Sequence, residues 1–171
     1  LSPRRIFLLT IILLAASLSV QADLTAYWPF DEGSGTAAVD VTGNGYDGTL
    51  TNVDWNTGQF GNAVTFDGVG DDSRVTIADP DDDLSPGDLT GGGGWSLSIW
   101  TKGPLPPSGD NWVIFRKHVD EYNFCFLRVG STGLLRFIYE INDSRRYDGY
   151  SSSLAPFVPN QWNHLVVTID G

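Results

Sequence analysis

The sequence predicts an all-β fold, a two-sheet antiparallel sandwich of the jelly-roll type. Short apolar or alternating segments recur along the chain, and clusters of Gly, Asp, Asn and Pro separate them. After residue 22, no segment shows the 3.6-residue period of an amphipathic helix. The 20 glycines favour turns, and so do the acidic residues, since nearly all of them are Asp rather than helix-favouring Glu. Short strands at this spacing are typical of sandwiches and jelly rolls.

Residues 1–22 are predicted to be a signal peptide. Two arginines provide a positive start, the run from Ile6 to Val20 is apolar, and Val20-Gln-Ala22 places small residues at the usual cleavage positions. The run of about 15 residues is shorter than the roughly 20 that a membrane-spanning helix needs. We therefore expect residues 23–171 to form one domain, secreted or held at the cell surface, without membrane insertion after the signal is removed.

The half of the domain before residue 95 is predicted to contain short strands joined by acidic, glycine-rich turns. These strands are Ala26–Phe30, Thr49–Val53, Ala63–Phe66 and Arg74–Ile77. A long loop, Asp79–Gly94, follows them. We interpret its run Asp79-Pro-Asp-Asp-Asp as a solvated loop, because blocks of like charge repel one another.

The second half begins with a clearly alternating strand. In Trp95–Lys102, the residues Trp95, Leu97 and Ile99 share one face, and two serines lie on the other. The segment Asn142–Pro159 is polar and is predicted to be a loop with one short strand at Asp148–Ser152. The other predicted strands are Trp112–Arg116, Asn123–Val129, Leu134–Ile141 and Trp162–Ile169.

The core is expected to hold the single cysteine and the tryptophans of the strands. Cys125 lies within Phe-Cys-Phe-Leu and is interpreted as a buried structural thiol, since a catalytic thiol needs a histidine partner and an electropositive setting. With one cysteine there is no internal disulfide, so stability depends on the core or on a bound metal. Trp100 shares the serine face and marks a second apolar surface. The tryptophans interpreted as core residues are Trp28, Trp95, Trp100 and Trp162.

The net charge of −11 limits the possible partners. Such a surface repels nucleic acid and anionic lipid, so neither is expected as a ligand. It attracts divalent cations instead.

Five segments occur in an order that matches one known family. They include the patterns Gly-Asn-Gly-x-x-Gly-x-Leu and Phe-Gly-x-Ala-x-x-Phe-Asp-Gly. The segments are Ala26–Gly35, Asp40–Leu50, Phe60–Gly68, Trp95–Lys102 and Gln161–Gly171. Together they resemble the laminin-G-like domains of the concanavalin A-like lectin/glucanase superfamily. The resemblance implies a concanavalin A-like jelly roll. Because further strands follow the last segment in that family, it also implies that the chain is truncated at its C-terminal end.

The carboxylates predict no catalysis within these residues. Glycoside hydrolysis needs two carboxyl groups close together, and the glucanases of this superfamily place them at alternating positions of one strand. The glutamates of this chain are Glu32, Glu121 and Glu140, and none has a carboxylate two residues away. Glu140 and Asp143 are three residues apart, which puts them on opposite faces of a regular strand.

One structural calcium ion is predicted, because many laminin-G-like domains hold one and the acidic turns supply hard oxygen ligands. The candidate ligands are Asp31, Asp67, Asp71 and Asp72, which lie in the turns that match the acidic turns of the family. The alternative is that these aspartates cap turns and face water.

A candidate ligand-binding site is formed by Arg145, Arg146, Tyr147 and Tyr150, the densest mixture of cationic and aromatic residues in a predicted loop. Loops carry much of the function of such domains. The predicted function is a secreted carbohydrate- or protein-binding module with no catalysis of its own, whose partner is a glycan or an extracellular protein. Two alternatives stay open: an accessory module of an extracellular polysaccharide-degrading enzyme whose catalytic part is missing here, and a structural adhesion domain.

Overall fold

The computed structural model describes residues 24–68, 72–86, 94–120, 123–141, 145–150 and 157–170. Within them it contains eleven β-strands and no α-helix, and hence no helix that is long and apolar enough to cross a membrane. The predicted signal peptide, residues 1–22, and the candidate ligand Asp71 lie outside the described residues. The strands are β1 (Ala37–Ala38), β2 (Gly48–Thr51), β3 (Val53–Thr57), β4 (Asn62–Phe66), β5 (Arg74–Ile77), β6 (Gly94–Thr101), β7 (Asn111–Asp120), β8 (Asn123–Gly130), β9 (Leu135–Ile141), β10 (Arg145–Tyr150) and β11 (Asn163–Asp170).

The strand pairs of the described residues are antiparallel and form four hydrogen-bonded sheets. One sheet has four strands in the order β10-β9-β8-β7, and another has three strands in the order β1-β2-β5. The strands β6 and β11 form a two-stranded sheet, and so do β3 and β4. The predicted all-β antiparallel fold is therefore confirmed, while the jelly-roll order of the strands stays a prediction.

Part of the core lies between the four-stranded sheet and the β6–β11 pair, and Ala38 and Leu50 of the three-stranded sheet are also buried. From β6, the Trp95 ring lies 6.0 Å from the Phe115 ring and 6.0 Å from the Phe137 ring, so side chains of the two sheets interdigitate. Each fully buried apolar side chain here contributes about 1.5–3 kcal/mol through its removal from water. On β8 the alternation of the strand buries Cys125, Leu127 and Val129.

The register of β6 and β11 determines which residues reach the outer face. The two strands pair along their whole length, from Asn163 opposite Thr101 to Asp170 opposite Gly94. The alternation that turns Trp95 toward the core turns Trp100 outward, and Trp100 is 42% exposed. The interpretation of Trp100 as a core residue is therefore wrong.

The segment Ala26–Phe30 has no strand pairing, contrary to the prediction. The Tyr27 N–H donates to Asp40 Oδ1 at 3.0 Å, and the Tyr27 carbonyl accepts from the Val41 N–H at 3.0 Å. Phe30 has a φ of 57°, which interrupts any extended conformation. Contacts with a folded turn thus replace the ladder that the aromatic sequence predicts.

The segment Asn142–Pro159 contains strand β10, which overlaps the short strand predicted at Asp148–Ser152 but begins three residues earlier, at Arg145. This strand pairs with β9 along its whole length, from Arg145 opposite Ile141 to Tyr150 opposite Arg136. The start of β10 is not evident from its polar sequence, because its extent depends on pairing with a partner strand rather than on its own propensity.

Candidate functional site

Three aromatic side chains form an exposed group on the outer face of the β6–β11 pair. Trp100 and His164 lie opposite each other on the two strands, and their rings stack at 4.7 Å with an interplanar angle of 11°. Phe60, from the turn before β4, meets Trp100 in an edge-on geometry at 5.6 Å. Phe60 is 71% exposed although it is wholly apolar. We call Phe60, Trp100 and His164 the aromatic cluster.

Polar groups accompany the aromatic cluster. The Ser98 hydroxyl and His164 Nε2 form a hydrogen bond of 2.8 Å, which orients the imidazole ring. Val166, the next outward residue of β11, is also exposed. The surface therefore combines aromatic rings with a hydroxyl and an imidazole, which is the mixture that binding sites use for contact area and orientation. Exposed apolar groups that lie together in this way mark interaction surfaces.

The sequence contained part of the signal for this cluster. The position of Trp100 on the serine face of β6 marks a second apolar surface, although the tryptophan itself is interpreted from the sequence as a core residue. Its contacts with His164 and Phe60 depend on strand register and on turn geometry, which residue spacing does not reveal.

The predicted calcium ligand Asp31 is tied to the turn before β4. Its Oδ1 accepts a hydrogen bond from the Asn62 N–H at 3.1 Å, and its carbonyl accepts one from Asn62 Nδ2 at 3.1 Å. Gly61 has a φ of 60°, and a Cβ on Gly61 would collide with the Asp31 carboxylate. The glycine therefore allows the close approach of this carboxylate to the turn.

The other described candidate ligands make separate contacts. Asp67 Oδ1 accepts a hydrogen bond from the Ser73 hydroxyl at 2.6 Å, and Asp72 Oδ1 lies 3.9 Å from Arg74 at an exposed position. Among the described residues, no three His, Cys, Asp or Glu side chains converge as a metal site would require. Because Asp71 lies outside those residues, the four-aspartate calcium site stays a prediction.

Asp40 organises the turn that follows β1. It is 5% exposed. Its carboxylate accepts hydrogen bonds from the Tyr27 N–H (3.0 Å), the Tyr46 N–H (3.3 Å) and both the N–H and the hydroxyl of Thr42 (3.1 and 2.8 Å). Burial alone would raise the pKa of Asp40, but these hydrogen bonds to the charged form outweigh it and lower the pKa to about 2. Asp40 is thus a structural carboxylate.

The same turn holds the N-terminal segment of the domain. Asn44 Nδ2 donates to the Thr25 carbonyl at 2.9 Å, and Trp28 Nε1 donates to the Tyr46 carbonyl at 2.6 Å. Asp47 Oδ1 accepts from the Asp40 N–H at 2.8 Å, which closes the turn. We call residues Asp40–Asp47 the Asp40 turn.

A tyrosine joins the Asp40 turn to the acidic loop 79–86. The Tyr46 hydroxyl donates a hydrogen bond of 2.8 Å to Asp83 Oδ2. This bond to Asp83, reinforced by burial and by the neighbouring carboxylates, raises the pKa of Tyr46 to about 12. The phenol therefore stays a hydrogen-bond donor at neutral pH.

The acidic run Asp79–Asp83 is not simply a solvated loop, which corrects the interpretation from charge alone. The Asp79 side chain is 4% exposed. It accepts hydrogen bonds from the Asp83 N–H at 3.0 Å, from the Leu84 N–H at 3.1 Å and from the Lys117 ammonium. Burial alone would lower the pKa of Lys117, but its hydrogen bonds to Asp79 and Asp82 raise it. The Lys117 ammonium of β7 thus offsets the electrostatic repulsion among the aspartates of this run.

The four predicted ligand-binding residues lie on strand β10 rather than in a loop. Arg145 and Tyr147 pair with Ile141 and Tyr139, whereas Arg146 and Tyr150 pair with Glu140 and Arg136. The ligand-binding role of these four residues stays a prediction.

Comparison with known proteins bears on the fold. No protein-family model and no curated protein matches the chain. Among solved structures, the chain is similar to an S-layer domain-containing protein (residues 221–444) from Clostridium thermocellum, with a TM-score of 0.57 and 22% sequence identity. The match covers 78% of this chain and 59% of that chain, so this chain spans less than two thirds of the length of its neighbour. At this identity the likeness shows the fold alone, and it agrees with an antiparallel β-sandwich.

Proposed function

We propose that this protein is an exported, non-catalytic binding module that recognises carbohydrate through the aromatic cluster. The observation that carries the proposal is the exposed stack of Trp100 on His164, with Phe60 at its edge. A sugar ring has an apolar face of C–H groups and a polar rim of hydroxyls. An aromatic surface beside hydrogen-bonding side chains complements both parts of the ring.

The charge of the chain supports a glycan over two other ligand classes. At a net charge of −11, long-range repulsion opposes nucleic acid and anionic membranes. A neutral sugar that binds through ring contacts and hydroxyl hydrogen bonds needs no positive charge on the protein.

We also propose that the protein is exported and that its domain belongs to a known family. The N-terminal basic and apolar pattern supports secretion. The five matching segments support a laminin-G-like domain of the concanavalin A-like type. A structural neighbour named as an S-layer domain-containing protein supports a place at the cell surface. One structural calcium at Asp31, Asp67, Asp71 and Asp72 belongs to the same proposal, because hard oxygens from turns are the ligands that calcium prefers.

A second candidate function is a structural adhesion domain, which the same neighbour favours. It differs from the first in that no small glycan binds the aromatic cluster. An accessory module of a polysaccharide-degrading enzyme would share the glycan chemistry and differ only in what the chain is attached to.

The test is binding of the full chain to immobilised neutral oligosaccharides, followed by titration calorimetry on those retained. Trp100→Ala should weaken binding by about tenfold or more, because it removes the central ring of the cluster. Trp112→Ala removes a tryptophan of similar exposure from β7 and serves as the matched control, with affinity within about twofold of the parent protein.

Two results would overturn the proposal. One is an absence of binding across the panel, which would leave the structural role. The other is unchanged affinity in a Trp100→Ala protein whose circular dichroism spectrum matches the parent, which would move the site away from the cluster.

A further inference from the structure

A lysine ammonium and a buried carboxylate are in contact where the acidic loop 79–86 meets the four-stranded sheet. The Lys117 ammonium of β7 donates a hydrogen bond to Asp79 Oδ2, and it also lies 3.0 Å from Asp82 Oδ1. The Asp79 side chain is 4% exposed and the Lys117 side chain is 17% exposed, so little water reaches either group. An amine and a carboxyl group that are held together away from water are the two reactants of an amide bond.

The acidic loop folds around the Asp79 carboxylate and fixes its orientation. The Asp83 N–H donates to Asp79 Oδ1 at 3.0 Å, and the Leu84 N–H donates to Oδ2 at 3.1 Å. The Asp83 N–H therefore contacts the oxygen on which negative charge develops when an amine adds to the carboxyl carbon, as a donor of an oxyanion hole does. That carbon, Cγ, is bonded to the oxygen that Lys117 already contacts, so a small displacement brings nitrogen against carbon.

We infer that Lys117 and Asp79 form an intramolecular isopeptide bond, which makes this pair a self-catalysed cross-linking site. The bond joins Lys117 Nζ to Asp79 Cγ, and the ion pair is the state before the reaction. The inference goes beyond the proposed function and is independent of it, since neither residue belongs to the aromatic cluster.

The reaction is a condensation that releases one water molecule and needs no co-reactant. Burial alone would lower the pKa of Lys117, but the hydrogen bonds to Asp79 and Asp82 raise it, so the reactants are an ammonium and a carboxylate. One proton passes along the existing hydrogen bond from Nζ to Oδ2, and the neutral amine adds to Cγ. Asp82 takes a second proton from Nζ and returns it to Oδ2. The Cγ–Oδ2 bond then breaks, water leaves, and Oδ1 becomes the carbonyl oxygen of the new amide.

Two properties of the chain favour the amide over a permanent ion pair. Taking two charges out of water has a large cost that their attraction offsets only in part, and amide formation removes both charges. The chain has one cysteine, so no internal disulfide connects its parts. The isopeptide bond would supply a covalent connection between the acidic loop and the four-stranded sheet, across 38 positions of the sequence.

Mass spectrometry of the purified full chain tests the inference. After incubation of the folded protein at neutral pH, most molecules should be lighter than their sequence requires by the mass of one water molecule. Tandem spectra of a digest should contain a branched peptide that includes both Asp79 and Lys117. Molecules at the full sequence mass would overturn the inference. So would assignment of the lost water to an Asp–Gly step such as Asp67–Gly68, where a cyclic imide forms with the same loss.

A lysine-specific protease gives a second measurement on the same protein. Lys102 and Lys117 are the two lysines of the chain, so digestion of an unmodified chain in urea cuts after both and gives three separate fragments. A cross-linked Lys117 resists cleavage, and the bond keeps the two products of cleavage at Lys102 joined on a denaturing, reducing gel. Three separate fragments would overturn the inference without any variant.

Variants connect the lost water to the ion pair. Lys117→Arg keeps a cation beside Asp79, but its guanidinium stays protonated and does not attack a carboxyl carbon, so its mass should equal the sequence mass. Lys102→Arg changes an exposed lysine and should retain the loss of water. Asp82→Asn removes the proton carrier and should slow bond formation by about a hundredfold or more. A Lys117→Arg protein that still loses water would overturn the assignment to Lys117, and an unchanged rate in Asp82→Asn would overturn the role of Asp82.

Discussion

The Lys117 ammonium donates a hydrogen bond to the Asp79 carboxylate, although the two residues are 38 positions apart in the sequence. Lys117 also lies 3.0 Å from Asp82. Because Lys117 belongs to the four-stranded sheet and Asp83 is held by Tyr46, the acidic loop joins that sheet to the Asp40 turn. A run of five residues that looks like a free charged loop therefore connects distant parts of the fold.

Replacing Lys117 with methionine is expected to lower the free energy of unfolding by about 2–3 kcal/mol, since the substitution leaves the Asp79 carboxylate buried without its cation. Urea denaturation followed by tryptophan fluorescence measures the change. The exposed Lys102 provides the control, and Lys102→Met should change stability by less than about 0.5 kcal/mol. Equal effects of the two substitutions would show that the ion pair contributes little.

Asp40 should make stability depend on acidic pH. Its pKa in the folded protein is about 2, below the ordinary value of 3.8. The carboxylate therefore stabilises the fold above about pH 4, and this contribution is lost as the pH falls toward 2. Melting temperatures of the parent and of Asp40→Asn should differ clearly at pH 6 and converge near pH 2. Asp54→Asn, on an exposed residue of β3, is the control. A constant difference across the range would contradict the assignment.

The strands of the core could be predicted from the sequence because their signal is local. Alternation in β6 predicts Trp95 on the core face, although it does not prevent the wrong interpretation of Trp100 as a core residue, and the apolar run in β8 indicates a central strand. For β10 the sequence predicts only the short strand Asp148–Ser152, because the start of the strand at Arg145 depends on pairing with β9. For Ala26–Phe30 the reverse holds, because the aromatic sequence predicts a strand but contacts from the Asp40 turn replace strand pairing.

The candidate sites could be predicted only in part, because they depend on contacts between distant residues. The stack of Trp100 on His164 follows from the β6–β11 register. The two residues have no characteristic spacing in the sequence. The identification of Cys125 as a buried thiol was predictable, because its own apolar neighbours carry that information.

Cys125 should not react with a thiol reagent in the folded protein. It is 0% exposed, and burial raises its pKa to about 12, so the nucleophilic thiolate is scarce at neutral pH. Labelling with a disulfide reagent near pH 8 should be slow in buffer and complete within the mixing time in denaturing urea. Fast labelling of the native protein would show that the sheet around β8 opens readily.

Calcium should raise the melting temperature if the acidic turns hold an ion, since a ligand that binds only the folded state stabilises it. Melting of the full chain in calcium and in chelator measures this. Asp31→Asn and Asp72→Asn should each reduce the calcium-dependent shift, whereas Asp54→Asn should leave it unchanged. An identical melting temperature in calcium and in chelator would contradict the predicted calcium site.

Gly61→Ala is expected to destabilise the fold more than Gly35→Ala does. Both glycines have a positive φ, 60° at Gly61 and 87° at Gly35, so each alanine carries backbone strain of about 1–2 kcal/mol. Only at Gly61 would the new Cβ collide with the Asp31 carboxylate, while no heavy atom lies within 4 Å of a Cβ at Gly35. Relieving the collision requires moving Asp31 away from the Asn62 N–H, which costs about 1 kcal/mol more. Urea denaturation of the two variants measures the difference. Equal stabilities would mean that Asp31 moves without cost and that its bond to the turn contributes nothing to the fold.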